Sequence, residues 1–538
     1  MPVDAVMEDV QQPVRTPSGL GMALDAVNLG EHGVSFGFGV ARTATQIGFG
    51  TATTVLRTLR LTPVEQVVEL AHTATRFGQD FAEGITQTSL GVAKFGLEAS
   101  GAQEGELLRL GLGDEAAESI IMVLKMVRGF CKPLSGVTLS QLFYAAQSWS
   151  EVQHAARLEK LQRGPPPTTL ALPPFALRWM RFSAATFGTV MMAGMADGFS
   201  LAPAMRARDT APDATQAERA LASANLQGRV TVLSFEENTS EHFVPGYMVA
   251  VDHEAGCVVV ALRGTSTARD ALVDLVCEAV PCELAGMEGL AHGGMLRAAK
   301  RLMEPLLAHV KEGLSLLAAE RAQGRSPSMF DTDVLVTGHS LGGGVAALLA
   351  ALWRDAAALP VGCSMRCVTF GCPQVLDASH ALALSNFTTS VVLGDDLVPR
   401  LSLTTVQDLR EALLRLNDPQ SYGLPQELGA KALASLAQGG VASQGSLAAA
   451  HTAVVASGSR GETNRLYPAG RLIILRKANL MDTEESKYAP MEGSQVDVDE
   501  LLLSSDMAAA HMPARYLKAL GEASHWPDAA QVSLNGLG

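Results

Sequence analysis

The chain has 538 residues, 47% of them hydrophobic and 18% charged, and a formal net charge of −14. That length exceeds one ordinary core and predicts two or more domains, while the apolar fraction excludes a disordered chain. The negative balance excludes nucleic acid as a partner and purely electrostatic capture by anionic lipid, so any membrane contact must be chiefly hydrophobic. The seven cysteines have no zinc-like spacing, and Cys257, Cys277, Cys363 and Cys367 sit in or beside apolar runs. Buried thiols in a reducing compartment are expected, with no metal site.

The opening "MPVDAVMEDVQQPVRTPS" is acidic and has no apolar run, so it does not read as a signal peptide. The stretch Gly33–Leu61 has no acidic residue, carries Arg42, Arg57 and Arg60, and interleaves them with Phe36, Phe38, Ile47 and Phe49. It could lie in a lipid interface as an amphipathic helix, or pack on its own domain, since its glycines weaken a free helix. Up to residue 163 the pattern stays helical: "TPVEQVVELAHTATRFGQDFAEGI", "DEAAESIIMVLKMVRGF" and "LSQLFYAAQSWSEVQHAARLEKLQ" repeat apolar residues every three or four positions. Residues 1–163 therefore form a helical N-terminal region, and "GPPPTTLALPP" (Gly164–Pro174) a proline-rich linker. The greasiest run, Phe182–Pro203, is broken by Asp197 and several glycines and reads as buried core, not as a bilayer span.

Beyond the linker the period shifts. "RVTVLSFE", "GYMVAVDHE", "GCVVVALRG", "DVLVTGH", "SMRCVTFG", "TTSVVLGDD" and "RLIILRK" are strand-like, and "GGMLRAAKRLMEPLLAHVKEGLSLLAAERA" is a long helix between two of them. Strands alternating with helices predict an α/β sheet with reactive groups at the carboxyl ends of strands. A Gly/Ser/Ala-rich insert, about Leu403–Arg465, interrupts the later part, and 526–538 is a tail.

The chemistry concentrates in "DVLVTGHSLGGGVAALLAALW", Asp333 to Trp353, where Gly338-His339-Ser340-Leu341-Gly342 joins a strand to a helix. This is the context of a nucleophile elbow, with glycine two positions either side of the serine because a side chain there would strike neighbouring backbone. A second match, Gly33-Val34-Ser35-Phe36-Gly37, follows no strand and is a decoy. An elbow serine needs a base and an orienting acid, in the chain order serine, acid, histidine. Asp395 and Asp396 both stand just past the strand "SVVL", and spacing does not choose between them. Of the later histidines, His451 lies in the insert and His525 in the tail, while His511 follows the last strand and precedes a helix. Oxyanion donors are expected from the N–H of Leu341 and from Thr265, beside Gly264 at the end of an earlier strand.

With these residues in view, the chain resembles the class 3 lipases, and within them the sn-1-specific diacylglycerol lipases. The resemblance rests on "VVALRGTSTARDALVDL", "AHGGMLRAAKRL", "VTGHSLGGGVAALLA", "VTFGCPQV", "SVVLGDDLVPRLS", "LYPAGRLIIL" and "HMPARYLKAL", in that order. It implies an α/β-hydrolase domain over about 175–525, with Ser340 as nucleophile, Asp396 as acid and His511 as base. It also implies Thr265 and Leu341 in the oxyanion hole, Asp274 holding the Thr265 hydroxyl, a structural His292, and no cofactor. The expected activity is release of fatty acid from diacylglycerol or a related glycerolipid by a cytoplasmic enzyme attached peripherally to membrane or lipid droplet. Phospholipase A1 or triacylglycerol lipase activity is the nearest alternative, and a non-catalytic lipase-like scaffold the more distant one.

Overall fold

The computed structural model describes residues 137, 139–163, 170–188, 215–226, 228–237, 244–264, 279–324, 332–437, 444–456, 464–477, 488–504 and 506–523. All fall in one compact unit, Met122–Gly538. The segment Gly33–Leu61, the second glycine–serine motif within it, the helical patterns of residues 62–130, Thr265, Asp274, His525 and the tail lie outside the described residues, as does Phe182–Pro203 beyond residue 188.

In chain order the described elements begin with helices α1 (Leu139–Arg163), α2 (Ala176–Ala185) and α3 (Gln216–Ser223). Strands β1 (Val230–Glu236), β2 (Tyr247–Asp252) and β3 (Cys257–Leu262) follow, then a small hairpin of β4 (Ala279–Leu284) and β5 (Met287–His292). Next come α4 (Gly293–Ala322), β6 (Val334–His339), α5 (Leu341–Asp355), β7 (Met365–Phe370), α6 (Ala378–Ala383) and β8 (Thr388–Leu393). Helices α7 (Leu403–Asn417), α8 (Ala430–Ala437) and α9 (Gln444–Ala456) occupy the insert, and β9 (Arg471–Lys477), β10 (Tyr488–Gly493), α10 (Met507–Ala510) and α11 (Pro513–Ala523) close the described chain.

Eight strands form one sheet in the order β1-β2-β3-β6-β7-β8-β9-β10. The pairs from β3 to β9 are parallel, and β1–β2, β2–β3 and β9–β10 are antiparallel. A parallel centre with antiparallel edges and helices on both faces is the α/β-hydrolase arrangement implied by the sequence. Successive residues of β3 serve opposite faces, as the pleat requires. Val258, Val260 and Leu262 pack with α4 and α5, whereas Cys257, Val259 and Ala261 pack with α2 and α11. A strand covered on both faces needs a continuous apolar run, and "CVVVAL" is buried throughout.

All seven strand-like runs appear in the sheet. The β4–β5 hairpin and β10 were not legible: Pro281 and Pro490 interrupt their patterns, which a sheet edge tolerates because an edge strand can spare an N–H. The insert is largely helical, and α1 packs Ala145, Trp149 and Val152 against Ala412, Leu416, Leu433 and Val454 from α7, α8 and α9. The last helix of the N-terminal region therefore shares a core with the insert. Phe182–Phe187 is buried, and among the described residues no helix is long and apolar enough to cross a membrane. The described cysteines, Cys257, Cys282, Cys363, Cys367 and Cys372, are all free.

Candidate active site

The turn from β6 into α5 places Ser340 at φ 59°, ψ −135°, a conformation L-residues rarely adopt. Bonds on either side hold it there. Ser340 N–H donates to the Phe370 carbonyl at 2.9 Å, and the Ser340 carbonyl accepts from Gly343 N–H at 2.8 Å. The flanking glycines are sterically required: a Cβ on Gly338 would lie 2.2 Å from the Gly342 carbonyl oxygen, and one on Gly342 would lie 2.2 Å from the Leu262 oxygen. Gly264, just past β3, is also confined, since a Cβ there would stand 2.8 Å from the His339 carbonyl oxygen and 3.0 Å from Ser340 Cβ. Leu341 is the first residue of α5, so its N–H is one of the four at the helix start without an intrahelical acceptor.

His511 comes to the serine from the far end of the chain. Its Nε2 lies 2.7 Å from Ser340 Oγ, and its Nδ1 lies 2.9 and 3.0 Å from the two carboxylate oxygens of Asp396. These contacts fix the tautomer: Nδ1–H donates to the carboxylate and Nε2 accepts from the hydroxyl. Asp396 is fully buried, and burial alone would raise its carboxyl pKa. The His511 charge and hydrogen bond, then Tyr516 and the Val398 N–H, outweigh burial and hold it below the ordinary carboxylate range. Asp395, the other candidate, points elsewhere and pairs with Arg157 at 2.6 Å.

Three supporting residues were not singled out in the sequence. Tyr516 on α11 donates its hydroxyl proton to Asp396 Oδ2 at 2.5 Å and accepts from the Leu393 N–H at 3.0 Å. The buried Arg400 guanidinium donates to the carbonyls of Asp396, at 2.8 Å, and Gly394, at 3.1 Å. His339, one residue before the nucleophile, donates from Nε2 to the His511 carbonyl at 2.9 Å, and the two rings lie 4.7 Å apart. Burial, together with the neighbouring His511, pushes the His339 pKa down to about 3, so it stays neutral. The usable signals were the histidine inside the elbow motif and a tyrosine five positions past His511, but neither residue type announces a role at that spacing.

Other residues weighed in the sequence sit apart. His451 stacks on Trp149 with ring centroids 5.2 Å apart and meets Glu500 at 3.0 Å. His292 caps α4, its Nδ1 accepting from the Met295 N–H at 3.3 Å. Among the described residues no cluster of His, Cys, Asp and Glu could hold a metal ion.

Residues 259–406 match the family described as Lipase (class 3). Diacylglycerol lipase-alpha of Homo sapiens is 29% identical over 301 residues, covering 51% of this chain and 27% of that protein. Diacylglycerol lipase-beta of Mus musculus is 34% identical over 223 residues, covering 39% and 30%. The secreted mono- and diacylglycerol lipase 1 of Fusarium solani is 33% identical over 159 residues, covering 29% and 42%. The chain thus spans less than half the length of these curated relatives. Among solved structures, a Rhizomucor miehei triacylglyceride lipase aligns over 42% of this chain and 72% of its own, at 20% identity and a TM-score of 0.29.

Proposed function

We propose that this chain, which carries a class 3 lipase segment at residues 259–406, is a serine hydrolase of acylglycerol esters. The observation that carries the reading is the continuous relay from Ser340 Oγ through the His511 ring to the buried Asp396 carboxylate. Ser340 attacks the ester carbonyl carbon while His511 Nε2 takes its proton and returns it to the departing alcohol. Asp396 keeps the ring in the reactive tautomer and stabilises the imidazolium. The developing oxyanion is bound by the Leu341 N–H and, in this reading, by Thr265 with Asp274 behind it. Water then enters by the same base and releases the fatty acid.

Diacylglycerol is the favoured substrate, because the alpha and beta relatives are named for it. Such a substrate sits in an interface, so the protein must reach one peripherally, and Gly33–Leu61 is the segment suited to it. The deciding experiment is product analysis on a panel of mono-, di- and triacylglycerols and phospholipids, comparing wild type with Ser340→Ala. Fatty acid released from diacylglycerol by the wild type alone is the expected result. Release from phospholipid alone would reassign the protein as a phospholipase, and no fluorophosphonate labelling of Ser340 would make it a scaffold. Co-flotation with neutral liposomes should fall when residues 1–61 are removed, and equal flotation would discard the anchoring role.

A further inference from the structure

We propose that helix α1, outside the class 3 lipase match, is a brace that positions the catalytic acid and base, acting through Arg157 on the acid loop and Gln153 on the segment leading to His511. The inference rests on the serine-hydrolase reading above, since it assigns roles relative to that triad.

The helix has two working faces. One buries apolar residues against the insert helices, as described. The other is a polar stripe, Ser150, Gln153 and Arg157, at spacings of three and four that line up on one side of a helix. Each member of the stripe reaches far along the chain. Ser150 Oγ donates to the Leu503 carbonyl at 2.5 Å. Gln153 spends both ends of its amide on the same stretch: Nε2 donates to the Leu501 carbonyl at 2.9 Å, and Oε1 accepts from the Leu503 N–H at 3.0 Å. Residues 501–504 have no regular structure, so their backbone groups need such partners, and a carboxamide satisfies a donor and an acceptor as a neighbouring strand would. In sequence this stretch precedes α10 and His511.

Arg157 extends the stripe to the acid. Its Nη2 lies 2.6 Å from Asp395 Oδ1, and Asp395 is bonded through the next peptide to Asp396. Burial would raise the Asp395 carboxyl, but Arg157, and after it Arg400, bring it below the ordinary range, so it stays charged and paired. Arg400 grips the other side of the same turn through the carbonyls of Gly394 and Asp396. The acid loop is thus held between the Arg157 guanidinium of α1 and that of Arg400, four residues past Asp396. The Arg157 side chain is 37% exposed, so the pair contributes little to stability on its own. Its value is geometric: a triad displaced by an ångström loses a large part of its rate.

The test uses the full chain and a soluble short-chain p-nitrophenyl ester, with Ser340→Ala as the reference. Arg157→Gln should lower kcat about tenfold while changing KM by less than about twofold and leaving Tm near wild type. Gln153→Ala should lower kcat similarly, with a fall in Tm as well because it strips the Leu501 carbonyl and the Leu503 N–H of their partners. Arg157→Lys should recover at least about half the loss, and Glu151→Gln, on the exposed side of the same helix, should change nothing. Because Arg157 acts through Asp395, the pair Arg157→Gln/Asp395→Asn should be no slower than Asp395→Asn alone. Unchanged kcat in Arg157→Gln, multiplicative losses in the double variant, or a loss in Arg157→Gln that tracks a falling Tm would each overturn the brace. Full activity in Ser340→Ala would instead overturn the hydrolase reading beneath it.

Discussion

The two halves of the candidate site are built in opposite ways. The nucleophile side is local: Gly338 to Gly342 supply the turn, the clearance and the helix start within five consecutive residues. The acid–base side is assembled from distant pieces, with Asp396 after β8, His511 and Tyr516 more than a hundred residues later, and Arg157 from α1 far upstream. A local device depends on backbone conformation and tolerates almost no change at its glycines. A distributed device depends on side-chain contacts, each of which can be weakened by degrees. Substitutions should therefore act on the first half as all-or-none and on the second half as a graded series.

The largest effects test whether the halves form one machine. Ser340→Ala, His511→Ala and Asp396→Asn should each cut turnover by roughly three or more orders of magnitude in a folded protein. Combining Ser340→Ala with Asp396→Asn should add almost nothing, because residues that act as a unit are not additive. Near-normal turnover in Asp396→Asn would break the comparison by removing the acid from the distributed half.

An intermediate effect is expected at Thr265. If its hydroxyl joins the Leu341 N–H in binding the oxyanion, Thr265→Val keeps the volume but removes a donor, and kcat should fall roughly 10- to 1,000-fold with little change in KM. A raised KM with intact kcat would make Thr265 a substrate contact instead.

What was legible in the sequence follows the same division. The elbow could be read because its requirements are written in adjacent letters: β-branched strand, glycines, serine, helix. The order serine, acid, histidine narrowed the partners to Asp395 or Asp396 and to His511, but spacing could not separate two adjacent aspartates. Their side chains leave the loop in different directions, one towards His511 and one towards Arg157, and only packing decides which. Tyr516 and Arg400 were illegible for a related reason, since a tyrosine or arginine near a helix usually serves its surface. Likewise α1 read as part of an N-terminal helical region because its apolar repeat gives a helix but not the neighbour it covers. Pattern encodes the element, and long-range complementarity chooses its partner.

Tyr516→Phe sharpens the graded side of the comparison. It removes one hydrogen bond to the Asp396 carboxylate and leaves the buried Leu393 N–H without its acceptor. A buried donor left unpaired costs about 1–3 kcal/mol, so Tm should fall measurably. Turnover should drop about tenfold, far less than in Asp396→Asn, because the carboxylate keeps His511 and the Val398 N–H. A loss as deep as that of Asp396→Asn would show Tyr516 to be essential, and the distributed half would then be as brittle as the elbow.

The smallest effect concerns His339, which belongs to both halves: it sits in the elbow and bonds the base through the His511 carbonyl. Its pKa is depressed from 6.5 to about 3 by burial and by the neighbouring His511. The folded protein therefore leaves it neutral where the unfolded chain would protonate it. Between those values the unfolded state binds more protons, so this group's contribution to stability is complete above about pH 6.5 and declines as pH falls. One such proton is worth about 1.4 kcal/mol per pH unit. The depressed carboxylates Asp333, Asp377, Asp395, Asp396 and Asp497 start from an ordinary value of 3.8, so they add little to the slope above about pH 5. His339→Gln can still donate to the His511 carbonyl but cannot titrate. Thermal unfolding followed from about pH 7 to about pH 5 should show a steeper fall in Tm for the wild type than for His339→Gln. Parallel curves would mean that His339 is protonated in the folded state, and a cation would then stand beside the base at the junction of the two halves.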